Sequence, residues 1–406
     1  MADAHTADAH LADAPRETWI TGIGIVSSLG EGADAHWQGL SQGRVNVDAD
    51  TFAPYLVHPL PPLDLDKQIP KKGDQRQMEA WQRIGTYAAG LALADAGVKG
   101  KPELLTHMDM IVAAAGGERD IAVDGTILTN KGKATNPGAF LNERLMSDLR
   151  PTLFLAQLSN LLAGNISIVH GVTGSSRTFM GEEAAGVDAV RIAHARIAAG
   201  QSELALVGGS HNGEREESLL LYDAGGHMLR GPFRPVWERT TSAGMVLGSL
   251  GAFLVLEARG HAQARGAKPL ARLSAVMSER SSRPPGATTA ALARMWQSLG
   301  DKSAGRIAVI SGATGAEPAT TEERAWLGTL PGVPVRATGS ILGHGFEPQF
   351  AMNIALATLV LVREKLFPGT AASAVEQAYE GPLDRVVVTA VGHWRGEGMA
   401  LVEAVR

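Results

Sequence analysis

Residues 165–211 read NISIVHGVTGSSRTFMGEEAAGVDAVRIAHARIAAGQSELALVGGSH, and the fold turns on how this stretch is parsed. Residues 166–169 predict a short buried strand, and the Gly/Ser/Thr cluster at 171–178 predicts a loop. Residues 184–199 follow as an Ala-rich helix with Val187, Val190, Ile192 and Ile197 on its apolar face. Gly200 ends that helix, and residues 204–207 form a further strand running into Gly208 and Gly209. The layout is that of a strand-turn-helix that presents a nucleophile, yet the chain has no cysteine to serve as one.

The unit resembles the active-site segment of the β-ketoacyl-acyl-carrier-protein synthases, members of the thiolase-fold superfamily. In that family the catalytic cysteine stands three residues ahead of a glycine and seventeen ahead of the glycine that ends the helix. Gly186 and Gly200 set the count here, which puts Glu183 at the nucleophile position. A carboxylate at a helix N-terminus is favoured by roughly 0.3–1 kcal/mol. It does not form the thioester that a thiolate forms with a carrier-borne acyl group.

The family's other catalytic groups have identifiable positions. Its first histidine lies in an Ala-His-Gly-Thr turn, matched by Ser311-Gly312-Ala313-Thr314, so the resemblance puts Gly312 at the histidine position, in register with Glu323. Its lysine and second histidine lie in Thr-Lys-Ser-x-x-Gly-His, matched at 338–344; Gly339 takes the lysine position and His344 is retained. Condensation needs the thiolate and the donors that drive decarboxylation and hold the enolate. Three of the four positions are substituted. His344 also has a plain structural role open to it, a hydrogen bond to a backbone carbonyl at the start of the apolar helix near 351–362, and Glu182 and Glu183 are acceptable as ordinary helix-start acids. The run GHWRGEGMALVEAV at 392–405 stands where the family has a gating Gly-Phe-Gly-Gly loop, and His393, Trp394 and Arg395 depart from it.

The resemblance extends from Trp19 to the C-terminus. TGIGIVSSLGEG at 21–32 is similar to the family's opening strand and loop, and the segment at 233–271 to its crossover into the second half. Alternating helical and apolar-strand patterns (76–97, 110–114, 253–256, 287–299, 307–310) support an α/β fold with strands buried on both faces. The resemblance adds the detail: a thiolase-like five-layer αβαβα sandwich built from two pseudo-repeat halves. The expected division is a tail at 1–16, an N-terminal half at 17–258 and a C-terminal half at 259–406. Within the tail, Ala-Asp-Ala-His occurs at 2–5 and 7–10 and Ala-Asp-Ala-Pro at 12–15, a low-complexity pattern.

With 45% hydrophobic and 19% charged residues over 406 positions, the chain can bury a large core. A net charge of -5 and the lack of a basic run argue against a nucleic acid partner, and no apolar run predicts a membrane span or signal peptide, so a cytoplasmic location is expected. No cofactor and no metal site are expected: Gly22-x-Gly24 lacks the rest of a dinucleotide fingerprint, Gly174-Ser175-Ser176 lacks the lysine of a phosphate loop, and His170, His194, His211 and His227 have no ligand spacing.

Blocks at 73–97, 116–125 and 150–183 narrow the resemblance to synthase-like proteins of rhizobial and related α-proteobacterial systems that make the very-long-chain hydroxy fatty acid of lipid A. The resemblance implies an acyl carrier protein and an active β-ketoacyl synthase, or a second copy of the chain, as partners. Three functions stay open: a catalytically silent, chain-length-factor-like subunit; an atypical acyltransferase or malonyl-carrier decarboxylase using Glu183 and His344; and a scaffold that binds carrier protein.

Overall fold

The computed structural model describes residues 15–148, 157–239, 242–300, 306–370 and 375–405, so the Ala-Asp-Ala-His repeats lie outside the described residues. The N-terminal half runs β1 (Thr18–Ser27), α1 (Ala80–Asp95), β2 (Asp109–Ala113), α2 (Leu161–His170), β3 (Ser176–Phe179), α3 (Glu182–Ala198), β4 (Leu204–His211), α4 (Glu216–Ala224) and β5 (Leu250–Ala258). The C-terminal half runs β6 (Ala271–Glu279), α5 (Ala287–Ser298), β7 (Ile307–Ser311), α6 (Ala319–Leu327), β8 (Val335–Ala337), α7 (Gln349–Val362), β9 (Arg385–Val391) and β10 (Glu397–Glu403).

Strand order shows the repeat directly. The first half orders its strands β3-β2-β4-β5-β1 and the second β8-β7-β9-β10-β6, the same permutation. Orientation repeats as well: β2 is parallel to β3 and β4 as β7 is to β8 and β9, while β5 and β10 run antiparallel to both of their neighbours. The halves join where Thr18–Ile20 of β1 pairs with residues 271–273 of β6.

Helices α3 and α7 pack on each other and touch strands of both halves, which makes them the middle layer. Their sequences say why: α7, QFAMNIALATLVLV, is apolar around its circumference and buried on all sides. Helix α1 covers the outer face of the first half, and α5 and α6 cover that of the second. The molecule is therefore an α/β, five-layer αβαβα sandwich of two pseudo-repeat halves. Gly22 and Gly24 belong to this packing, since a Cβ at Gly24 would lie 2.1 Å from the Ala88 carbonyl oxygen and one at Gly22 2.6 Å from that of Ala92. They let α1 lie close on β1.

Two expectations are corrected. Residues 166–169 are not a strand but part of α2, whose Leu162, Ala163, Ile166 and His170 are buried while Ile168 is 69% exposed, a helical rather than alternating pattern; Gly171 at φ 77° closes the helix. The strand is Ser176–Phe179, overlapping the stretch 171–178 predicted as a loop. It forms a half-exposed sheet edge and so carries no apolar run to reveal it. The long helix predicted at 76–97 is two helices. Met78 is extended, and Glu79 starts α1 with a reciprocal capping box to Gln82.

Candidate functional site

The chain turns from β3 into α3 through Gly181 at φ 135° and Glu182 at φ 58°. Glu182 is strained there, because a non-glycine side chain rarely adopts that region. The turn places Glu183 in the first turn of α3, 4% exposed, facing two other parts of the chain. His344 comes from the segment between β8 and α7, and His393 from the hairpin between β9 and β10.

Glu183 Oε1 accepts hydrogen bonds from His344 Nε2 at 2.8 Å, His393 Nδ1 at 3.0 Å and the His393 backbone N–H at 3.1 Å. An ionised carboxylate only accepts, so both ring nitrogens carry the proton on the side facing it. Burial by itself would raise the Glu183 carboxyl. The charge of His393 and the hydrogen bonds from both rings outweigh that and hold it well below the usual carboxylate range. Burial opposes protonation of His393, but the Glu183 charge and hydrogen bond shift it above the ordinary histidine value. The position expected to carry a nucleophile thus carries a buried carboxylate clamped between two imidazoles.

Phe346 fills the space beside this clamp. It is 1% exposed at φ 52°, its ring stacks on Tyr222 at 4.4 Å, and it meets His344, His211 and His393 edge-on at 4.6, 5.1 and 5.5 Å. Tyr222, from α4, donates its hydroxyl to Glu182 Oε1 at 3.1 Å and closes the outer side. Burial, with the Arg215 charge, pushes the His211 imidazole down to about 3, which leaves it a neutral wall residue. A cavity of about 610 Å³ lies between the segment after β2 and the start of α4, lined in part by Glu118, Arg119, Asp120, Glu214 and Arg215; Glu183 and His344 are not in its wall.

Gly312 and Gly339 are brought near each other, with Gly339 packed on Ala313. A Cβ on Gly312 would lie 2.5 Å from the Thr389 carbonyl oxygen, and one on Gly339 2.6 Å from that of Ala313. Backbone occupies the first atom of any side chain at either position. Nearby, Glu323 is buried and accepts hydroxyl hydrogen bonds from Ser311 at 2.9 Å and Thr389 at 2.5 Å, while its Oε2 has no partner. Burial pushes its carboxyl up to about 7 against the pull of the two hydroxyls. Its contribution to stability is therefore fully present below the unfolded value near 4.5 and is lost as pH rises through about 7. Denaturant titrations between pH 4.5 and 7.5 are expected to show this loss, on the order of 3 kcal/mol, in the native chain and to show it much reduced in Glu323→Gln.

His344 thus bonds a carboxylate side chain rather than a backbone carbonyl. Sequence reading picked out Glu183 and His344 but not their links to His393, Phe346 or Tyr222. The departure of 393–395 from the family's loop pattern was the one available signal for His393. Spacing along the chain also hides a group that folding assembles: ligand-capable atoms of Glu182, Glu183 and His393 lie within 4.8 Å of one another. Among the described residues, no helix is long and apolar enough to cross a membrane.

Comparison with known proteins adds an independent line. The family model described as "Beta-ketoacyl synthase, N-terminal domain" matches residues 16–262. The 3-oxoacyl-[acyl-carrier-protein] synthase 2 of Vibrio harveyi is 26% identical over 270 residues, covering 64% of this chain and 61% of that protein. This chain thus spans less than two thirds of the Vibrio protein's length in the match. The tetracenomycin polyketide synthase ketoacyl synthase beta subunit of Streptomyces glaucescens is 27% identical over 413 residues, 95% of this chain and 97% of that one. Among solved structures, the ishigamide ketosynthase/chain length factor superposes with a TM-score of 0.79 at 19% identity, over 97% of this chain and 100% of that chain. A beta-ketoacyl synthase from Burkholderia phymatum gives 0.77 at 22% identity, over 96% and 100%. At those identities the structural likeness speaks to fold.

Proposed function

Because the chain belongs to the beta-ketoacyl synthase family, we propose that it is a catalytically silent, chain-length-factor-like subunit that pairs with an active synthase. Very-long-chain acyl synthesis for lipid A is the pathway we assign to the pair. The observation that carries this reading is the closed Glu183 site. The carboxylate has its hydrogen-bonding oxygen occupied by three donors, and Phe346 and Tyr222 fill the approach. An acyl thioester has no thiol to meet there, and its approach to Glu183 runs against the packed rings of Phe346 and Tyr222.

The surface supports pairing. Nine of the eleven large apolar side chains exposed among the described residues lie in the chain segment from Ile121 to Leu221, which also holds β3 at the end of the sheet, and exposed apolar side chains of this kind suit a covered protein interface. In such a pair the partner supplies the cysteine and this chain supplies one wall of the space that receives the growing acyl chain. Chain length is then set by side chains that perform no chemistry. Full-length similarity to a protein named a ketoacyl synthase beta subunit fits a subunit role. Decarboxylation by Glu183 and His344 is the rival reading, favoured by their direct bond and opposed by the lack of access.

Co-expression with a cysteine-containing synthase of the same organism, followed by size-exclusion chromatography and intact-mass analysis, is expected to give a one-to-one heterodimer. Separate homodimers only would count against the proposal. Carrier-protein binding without any synthase partner would point to a scaffold instead.

A further inference from the structure

His393 has one ring nitrogen committed and one not. Its Nδ1–H is fixed on Glu183, while its Nε2 has no hydrogen-bond partner among the described residues. A carboxylate oxygen, Glu182 Oε1, is 3.9 Å away, outside hydrogen-bond range; the His393 side chain is 4% exposed, and this nitrogen keeps a small opening to solvent, since it is not one of the fully buried unpartnered atoms. A transition-metal ion bonds imidazole nitrogen and carboxylate oxygen at about 2.0–2.2 Å, which separates two ligands of one ion by roughly 3.4–4.2 Å. The 3.9 Å gap falls in that span.

We propose that His393 Nε2 and Glu182 hold a single divalent transition-metal ion of the zinc class at the outer rim of the closed site. Glu183 acts from behind. A ligating histidine whose other nitrogen donates to a carboxylate is held in one tautomer and orientation, and Glu183 is itself held by His344. Glu182 is presented by its strained backbone and by the Tyr222 hydroxyl on Oε1. His227 is partly exposed, and its ring centre lies 4.9 Å from that of His393 at 74°. Two imidazoles sharing an ion at about 2.1 Å have centres about 5 Å apart, so His227, whose nitrogens stand outside the Glu182–Glu183–His393 group, is spaced to join as a third protein ligand if its ring turns toward the ion. Two nitrogens and one carboxylate suit zinc, cobalt or nickel and not calcium or magnesium, which prefer oxygen alone. The two glutamates outweigh the roughly half-unit positive charge of the α3 N-terminus. The ion would clasp the β9–β10 hairpin to α3.

The full chain, treated with EDTA and dialysed, should be titrated with Zn2+ or Co2+ alone while its thermal midpoint is recorded. Zinc at about a hundredfold excess over Kd is expected to raise the midpoint by about 3 °C, and Co2+ to develop visible d–d absorption. Glu182→Gln, which keeps the Tyr222 contact, is expected to lose both; His393→Ala serves as the second variant. Metal bound only by His5 and His10 of the tail would leave the midpoint unmoved. No midpoint shift in the native chain, or the same shift in Glu182→Gln, would overturn the assignment. The readout uses the chain without a partner, so its failure leaves the pairing proposal untouched.

Discussion

Glu183→Ala is expected to lower the unfolding free energy by about 3–5 kcal/mol, the usual cost of removing one member of a buried ion pair and leaving the other without compensation. Two donors from His393 and one from His344 lose their acceptor together at a buried point. Glu183→Gln keeps an acceptor oxygen and is expected to lose less than half as much. The sign is informative about function. Residues kept for catalysis are commonly held at a stability cost, and their replacement leaves the fold unchanged or firmer. A residue kept as the keystone of a closed site does the opposite. Urea unfolding monitored by circular dichroism is the check, and a Glu183→Ala protein within 1 kcal/mol of the native chain, or above it, would contradict the structural role.

Placing side chains at Gly312 and Gly339 is expected to fail before any chemistry can be tested. A Cβ at 312 or at 339 meets carbonyl oxygens at 2.5 and 2.6 Å, and no rotamer relieves a clash made by the Cβ itself. Gly312→Ala and Gly339→Ala are each expected to cost about 1–3 kcal/mol, and Gly312→His and Gly339→Lys more than that. Adding Glu183→Cys to the larger pair should therefore give an unstable protein rather than a working synthase. An alanine variant at either position with native stability would show that the space is still there.

These two results bear on what the chain's residues disclose before folding. The α/β alternation was legible because helices such as α7 and strands such as β5 are long and strongly patterned. Helix α3 was legible because Val187, Val190 and Ile197 recur at helical spacing and Gly200 follows its end. Strand β3 was not, since a four-residue edge strand, SRTF, exposed at Ser176 and Arg177 and only half-buried at Thr178 and Phe179, has no alternating apolar signature. The neighbouring run at 166–169 was misread because a short apolar segment is compatible with either period. Glu183 and His344 could be singled out by register with a known motif. Their pairing could not, because His344 is 161 residues and His393 210 residues from Glu183, and only the sandwich brings α3 and both loops to one point. Phe346 was silent for another reason. A phenylalanine after His344-Gly345 is unremarkable in sequence, and only its φ of 52° and its four ring neighbours show that it plugs the site.

The central claim is that this subunit does no condensing chemistry and acts through a partner. The most direct measurement offers malonyl- and acyl-carrier protein to the chain alone, to a cysteine-containing synthase alone and to the two together, following released carbon dioxide, covalent acyl adducts and product length by mass spectrometry. The account predicts no turnover and no adduct for the chain alone, and a changed product length for the pair. Turnover by the chain alone that disappears in Glu183→Ala would contradict it.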